Sequence, residues 1–395
     1  MGETDTVNVS SWDPRRVTFV ALGVQYLVNA LVYSTYIARL PDLRESTGLS
    51  LAALGLVITV GNVAALAVLP LCPPLIRWGG SKWVMVVAAL VYVGTLPALG
   101  LASSPAALVI AVIVMMVANT IVDVALARQS AVFSAQAERP VLSRLAGIYS
   151  VGALVGAGVA AQITHLGVNA TTHLTVVSAV LVLALVSTVR GLLGSGADPA
   201  PGGDRGRVGW RGHTMLLLTI AVLSAAAVPL DVGPGEWATF RVREDLGLSS
   251  GLATGAYGAF VAGTCLGRFL GDHAAHALGR VRIWYVSIGC SLTGIAIACL
   301  IPHAAAAYGG FAVAGLGAAV QAPLLTEAAG RGPAAALTAF FLGNRLAGPA
   351  TPVTIGALAN TPSLGVGLAI VAVTAPCVAL LSVLGRRAFV SPRDG

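Results

Sequence analysis

The chain has 395 residues, 56% of them hydrophobic and only 10% charged, with a formal net charge of +7 and a mean hydropathy of +0.86. That is too little polar surface to cover one or two water-soluble domains of this length. Composition therefore excludes a soluble enzyme, and because the basic residues are dispersed over short joints it also excludes a nucleic-acid-binding face. The apolar residues come in blocks of about 20, the length a helix needs to cross about 30 Å of hydrocarbon, and they lack the alternation of a spanning barrel.

In chain order, Met1 to Trp12 is polar and slightly acidic, without the basic start and cleavage site of a signal peptide. Twelve transmembrane helices are predicted near residues 17–39, 50–72, 83–101, 105–129, 142–165, 172–193, 213–232, 250–271, 283–301, 304–328, 334–358 and 362–385. They divide as two six-helix halves, 1–193 and 213–395, joined by a Gly-, Pro-, Asp- and Arg-rich linker over 194–212. A phrase in the first half, Leu43-Arg44-Glu45-Ser46-Thr47-Gly48-Leu49-Ser50, recurs as Val242-Arg243-Glu244-Asp245-Leu246-Gly247-Leu248-Ser249. Each copy is answered later by a short glycine and basic turn, Gly79 to Lys82 and Gly279 to Arg282. The fold class implied is all-α integral membrane with pseudo-symmetric halves, related by an axis along the membrane normal.

Charge bias sets the orientation. With the N-terminus inside, nearly all basic residues fall on inner segments, and only Arg39, Arg44, Arg241 and Arg243 fall outside, so both termini are expected in the cytoplasm. The five cysteines all fall within or at the ends of apolar spans and read as buried free thiols.

Polar groups at spanning depth are the candidate site, because a buried ion costs about 2.5 to 3.5 kcal/mol at a helix centre. Span one carries Gln25, Asn29 and Tyr33, spaced by four and hence on one helix face. Span two adds Asn62, span four Asn119 and Asp123, span ten Gln321 and Glu327, and span eleven Asn344 and Arg345. Each amide or phenol has two readings, substrate contact or a hydrogen bond between helices. Arg345, near the midplane, either holds an anionic or hydroxyl-rich substrate, or switches partners with a protonatable carboxylate, or is permanently paired with Glu327. Glu327 is also four residues from Arg331, which suits an ordinary helix-end pair.

Span seven ends Asp231-Val232-Gly233-Pro234-Gly235-Glu236-Trp237, where two glycines and a proline are expected to break the helix and form an outer gate. A similar break is expected at Gly348-Pro349-Ala350-Thr351-Pro352. On span eight Gly263, Gly267 and Gly271 recur every four residues, a pattern for close helix packing. His273 and His276 beside Asp272 lack further ligands in sequence, so no metal is expected.

Between spans eight and nine the chain reads Gly267-Arg268-Phe269-Leu270-Gly271-Asp272, then Gly279-Arg280-Val281-Arg282. With the six-plus-six plan and the central linker, this turn resembles that of the major facilitator superfamily. Asp123-Val124-Ala125-Leu126, Arg139-Pro140-Val141-Leu142-Ser143, Gly147-Ile148-Tyr149-Ser150-Val151-Gly152 and Asp231 with Glu236-Trp237 resemble its YbjJ-like and fucose-permease-like branch. The first half departs from the pattern: Leu71-Cys72 stands where the second half has Gly271-Asp272, and Ala146 stands where the branch has a histidine. The resemblance implies that spans one, four, seven and ten line a central cavity, and that Arg268, Asp272, Arg280 and Arg282 form an inner gate; those four also read as solvated flanking charges.

The function expected is secondary active transport of a small organic solute by alternating access, proton-coupled and outward, with proton-coupled uptake of a sugar-like solute as the alternative. A membrane enzyme or lipid-handling protein is the remote alternative, since no nucleophile with a base converges in the spans. Lys82 is the sole lysine and lies in no Walker pattern, so no ATP-driven step is expected. The expected partners are the solute, protons and the bilayer, without cofactor, for a monomer in the bacterial cytoplasmic membrane.

Overall fold

The computed structural model describes residues 14–137, 141–194, 214–331 and 334–359, with short stretches between 363 and 378. Both expected cytoplasmic termini, most of the linker and most of span twelve lie outside the described residues. Among the described residues there is no strand. The helices are α1 (Pro14–Thr47), α2 (Leu51–Val68), α3 (Cys72–Gly100), α4 (Pro105–Ala137), α5 (Leu142–His165), α6 (Ala170–Thr188), α7 (Thr214–Phe240), α8 (Ser250–Leu278), α9 (Arg280–Leu300), α10 (Ala304–Arg331) and α11 (Ala334–Leu358). Among the described residues, eight helical runs are long and apolar enough to cross a membrane.

One run, Leu51–Gly100, is 50 residues long because a 3-10 turn at Leu69–Leu71 fuses α2 to α3. At about 1.5 Å per residue it would be more than twice as long as a bilayer core is thick. It is interrupted at Gly80, which has φ 72° and ψ 147°. Gly279 separates α8 from α9 with nearly the same torsions, φ 81° and ψ 150°. Only glycine takes this left-handed conformation without steric cost, which is why each of these turns carries one.

Side-chain caps start several helices: Ser50 accepts from the Ala53 amide at 3.2 Å, and Asn169 from the Thr172 amide at 2.8 Å. Large apolar side chains such as Trp78, Leu183 and Leu300 are exposed, as expected where the surrounding solvent is lipid.

Two expectations are corrected. α7 runs unbroken through Pro229, Gly233, Pro234 and Gly235 to Phe240, and continues as a π-helical turn, Arg241–Asp245. α11 likewise runs through Pro349 and Pro352 to Leu358. A proline removes one backbone hydrogen bond, whereas unwinding in an apolar setting would free several more, so the helices bend without breaking. Neighbours use the groups that remain: the Thr59 hydroxyl donates to the Pro349 carbonyl at 2.8 Å.

α1 packs on α5 and α6, α2 and α3 on α4, and α3 on α6; α7 packs on α11, while α8 and α9 pack on α10. α5 meets α8, and α2 meets α11. Small residues let backbones touch at these crossings. A Cβ on Gly267 would lie 2.6 Å from the Leu316 carbonyl oxygen, and Gly263 abuts Ala312 still more closely. Gly271 faces only the Val320 side chain at 3.5 Å and is not part of that seam.

Gly310 supplies a test, since a Cβ there would meet the Ala298 nitrogen and the Gly294 oxygen at 2.6 Å each. Gly310→Ala should destabilise the protein by about 1 to 3 kcal/mol through forced helix separation. Gly289→Ala, where nothing lies within 4 Å, should be neutral or stabilising. Thermal unfolding of the two purified variants checks the contrast.

Candidate functional site

Where α1 and α7 end, two buried arginines tie the helices to the ends of neighbouring helices. Arg39, 2% exposed, donates from Nε to His173 Nδ1 at 3.0 Å, from Nη1 to Asp42 at 2.8 Å and from Nη2 to the Val168 carbonyl at 2.9 Å. Arg241, 5% exposed, donates to Asp245 at 2.8 Å and to the carbonyls of Ala298 and Cys299 at 3.2 and 2.9 Å. Asp245 in turn accepts from the backbone amides of Leu364 and Gly365 at 3.3 and 2.9 Å. All three nitrogens of each guanidinium donate a hydrogen bond, which is what allows a charge to be buried at a helix end.

The next residues of the two repeats cross to each other. Arg44 pairs with Glu244 at 2.9 Å, and Arg243 pairs with Glu45 at 2.5 Å and with Asp42 at 3.1 Å. The arginine of each copy thus holds the glutamate of the other. The repeated phrase was visible in the sequence, but its pairing was not, because each partner lies one repeat length away.

Deeper in the bundle, Asn29 donates to Asp123 at 2.7 Å and accepts from Asn119 at 3.0 Å, joining α1 to α4. Asp123 is nonetheless exposed, so it faces open space inside the bundle. Tyr33 donates to Glu236 at 3.5 Å; Glu236 is buried, and its other oxygen has no partner. Trp237 is fully buried against Phe240. Gln25 turns away from its expected companions and donates to Thr188 at the end of α6 at 3.1 Å, a helix-to-helix contact.

α2, α7, α10 and α11 enclose a cavity of about 200 Å³. Its polar lining is Asn62, Ser224, Asp231, Gln321, Asn344 and Arg345. Ser224 is committed to the Phe340 carbonyl at 2.8 Å, and Gln321 donates to Ser291 at 2.9 Å while its buried oxygen has no partner. Asp231 is exposed and Arg345 half-exposed. These five sequence candidates, Asn62, Asp231, Gln321, Asn344 and Arg345, come together; Ser224 is the polar residue that sequence reading missed, as a hydroxyl at spanning depth gives no distinctive signal.

The other candidates lie elsewhere. Glu327 is bound by Arg280 through two hydrogen bonds of 2.7 and 3.1 Å at an exposed helix end, not by Arg345. Arg268 reaches across from α8 to the Ser150 hydroxyl of α5 at 2.8 Å, and Arg282 is exposed. Asp272 belongs to α8, but its side chain lies outside the described residues.

The sequence profile of the Major Facilitator Superfamily matches residues 22–352. The chain belongs to that superfamily. It is 29% identical over 373 residues to an uncharacterized MFS-type transporter of Yersinia pestis, covering 92% of each chain. It is also 23% identical over 316 residues to membrane protein MosC of Rhizobium meliloti, covering 80% of this chain and 76% of MosC. Among solved structures, the nucleoside transporter NupG superposes with a TM-score of 0.71 at 13% identity, covering 95% of this chain and 99% of NupG. A bacterial homologue of the human lysosomal transporter Spinster, inward-facing and unoccupied, gives 0.71 at 16% identity, covering 97% of this chain and all of that one. Family and fold make this chain a membrane transporter and not an enzyme.

The rim arginines differ in burial, and so should their worth. Arg39→Leu leaves Asp42 with Arg243 alone, strands the buried His173 Nδ1 and the part-buried Val168 carbonyl, and should cost about 3 kcal/mol, whereas Arg44→Leu removes a part-exposed pair worth about 1 kcal/mol at most. Unfolding temperatures of the two variants in the same detergent check this ordering.

Proposed function

We propose that this transporter is a secondary active carrier of a small polar solute, which binds in the cavity lined by Arg345 and Asp231. The carrying observation is that cavity: opposite charges and three amides around one small space, in a chain of transporter family and fold. Charged groups are costly at such depth unless they meet protein, water or substrate. The proposed organisation is two six-helix halves about a central linker, in a bacterial cytoplasmic membrane with both termini inside. The repeat and the distribution of basic residues support it. The YbjJ-like and fucose-permease-like branch remains the proposed place within the superfamily.

The proposed cycle is alternating access, in which the crossed pairs Arg44–Glu244 and Arg243–Glu45 close the outer rim. The proposed coupling ion is the proton, carried by interior carboxylates, with Asp123 and Glu236 the best placed because neither has a cation bonded to it. Glu327 is less suited, being held by Arg280 at an exposed helix end. Export is the leading direction. Proton-coupled uptake of a hydroxyl-rich solute is the second reading, favoured by the amides of Asn62, Gln321 and Asn344 in the lining.

Both parts are testable. In a variant with its five cysteines replaced, a cysteine at cavity residue Ala227 reports outer opening through labelling of intact cells by an impermeant maleimide. Arg44→Glu should raise labelling a few-fold, since surface pairs are worth about 0.2 to 1 kcal/mol each, and adding Glu244→Arg should bring it back. Labelling that ignores both changes would remove the rim from the cycle.

Arg345→Lys should fold normally yet slow counterflow of a bound solute in proteoliposomes about tenfold or more, because an ammonium cannot reproduce a two-pronged guanidinium contact. Undiminished uphill transport by well-folded Arg345→Ala would make Arg345 a packing residue.

A further inference from the structure

Asp231 on α7 and Arg345 on α11 line the same cavity, yet among the described residues neither makes a hydrogen bond or an ion pair. The cation acting on Asp231 is Arg268, whose guanidinium is bonded to Ser150, and Arg345 acts on Asp123, which is bonded to Asn29. The two cavity charges are thus opposite and mutually unpaired, and each has a free polar end. Beside them Gln321, 98% buried since only 2% is exposed, has an amide oxygen with no partner.

We infer that the cavity takes a small zwitterion, its anionic group on Arg345 and its ammonium on Asp231, with amide hydrogen bonds between. The inference rests on the reading of this cavity as the solute site. The alternatives each leave one of the two cavity charges without a bonded partner. An anion alone would be held by Arg345 but would share the cavity with the Asp231 carboxylate. A cation alone would meet the Arg345 guanidinium. A neutral polyol would displace the water around both charges without replacing its compensation, and burying an uncompensated charge costs several kcal/mol. A molecule that carries both charges satisfies both walls at once. The volume, about 200 Å³, lies below the range of about 300 to 1,000 Å³ typical for drug-sized ligands, which restricts the solute to the scale of an amino acid.

The test is a thermal-shift series on the purified full-length protein. The probes are ω-amino acids from glycine to 5-aminovalerate and common α-amino acids, each beside its amide (cation only) and its N-acetyl derivative (anion only), with neutral polyols as a fourth set. Each is supplied at about 10 mM, tenfold above a millimolar Kd. At least one zwitterion should raise the unfolding temperature while its two singly charged relatives and the polyols do not. Asp231→Asn should transfer the response toward the N-acetyl compound, and Arg345→Gln toward the amide, an exchange of preference that loss of folding cannot produce. Ala227→Phe, which fills the cavity, should abolish every response.

Should Ala227→Phe leave a zwitterion response intact, the cavity is not the solute site and both readings fall. If it abolishes a response that belongs to polyols or singly charged solutes, the site stands and the zwitterion inference is overturned. Absence of any zwitterion response in the wild-type protein overturns the inference as well.

Discussion

An ionised side chain carried into a bundle of spanning helices must find a partner or water, and most of the polar architecture here follows from that requirement. At the rim it is met by saturation. Arg39 and Arg241 are almost fully buried, and each spends its guanidinium on a nearby carboxylate and on groups at the end of a neighbouring helix. In the interior it is met by amides and open space: Asp123 is bonded to Asn29 and still exposed, while Asp231 and Arg345 face a cavity. Saturated charges hold the bundle together. Unsaturated ones are where the proposed solute would compete.

The division also separates tightly packed contacts from exchangeable ones. Contacts within the set α8, α9 and α10 are made by glycine against backbone, at Gly263, Gly267 and Gly310 among others, and such surfaces cannot slide without a clash. The contacts that join α1 to α7 at the rim are ion pairs between partly exposed side chains, which exchange readily for water. Glycine seams also join α2 to α11 at Gly55 and α5 to α8 at Gly251, so the rim ion pairs are one kind of contact between these helix groups and not the whole of it.

Much of this was legible in the residues, and the illegible remainder has physical causes. Block length located most of the described helices because a bilayer imposes a fixed thickness on a helix. The stripe Gln25, Asn29 and Tyr33 was read as one face, but four-residue spacing drifts by about 40° per step on a helix of 3.6 residues per turn, so Gln25 reaches α6 while Asn29 reaches α4. Proline and glycine in α7 and α11 suggested breaks, which local propensity favours and apolar surroundings forbid. The partners of Arg44 and Glu327 could not be read at all, because ion pairing across a bundle depends on helix packing that no local pattern encodes.

The left-handed glycines carry a consequence for the history of the chain. Gly48 and Gly80 bracket α2 and the start of α3, and Gly247 and Gly279 bracket α8, with the same number of residues between them. Side chains across these segments have diverged widely, yet their length has not. A one-residue insertion would rotate everything beyond it by about 100° about the helix axis and turn a lipid-facing stripe toward the interior. Substitution is therefore the permitted mode of drift between the two copies, and insertion is confined to joints outside them.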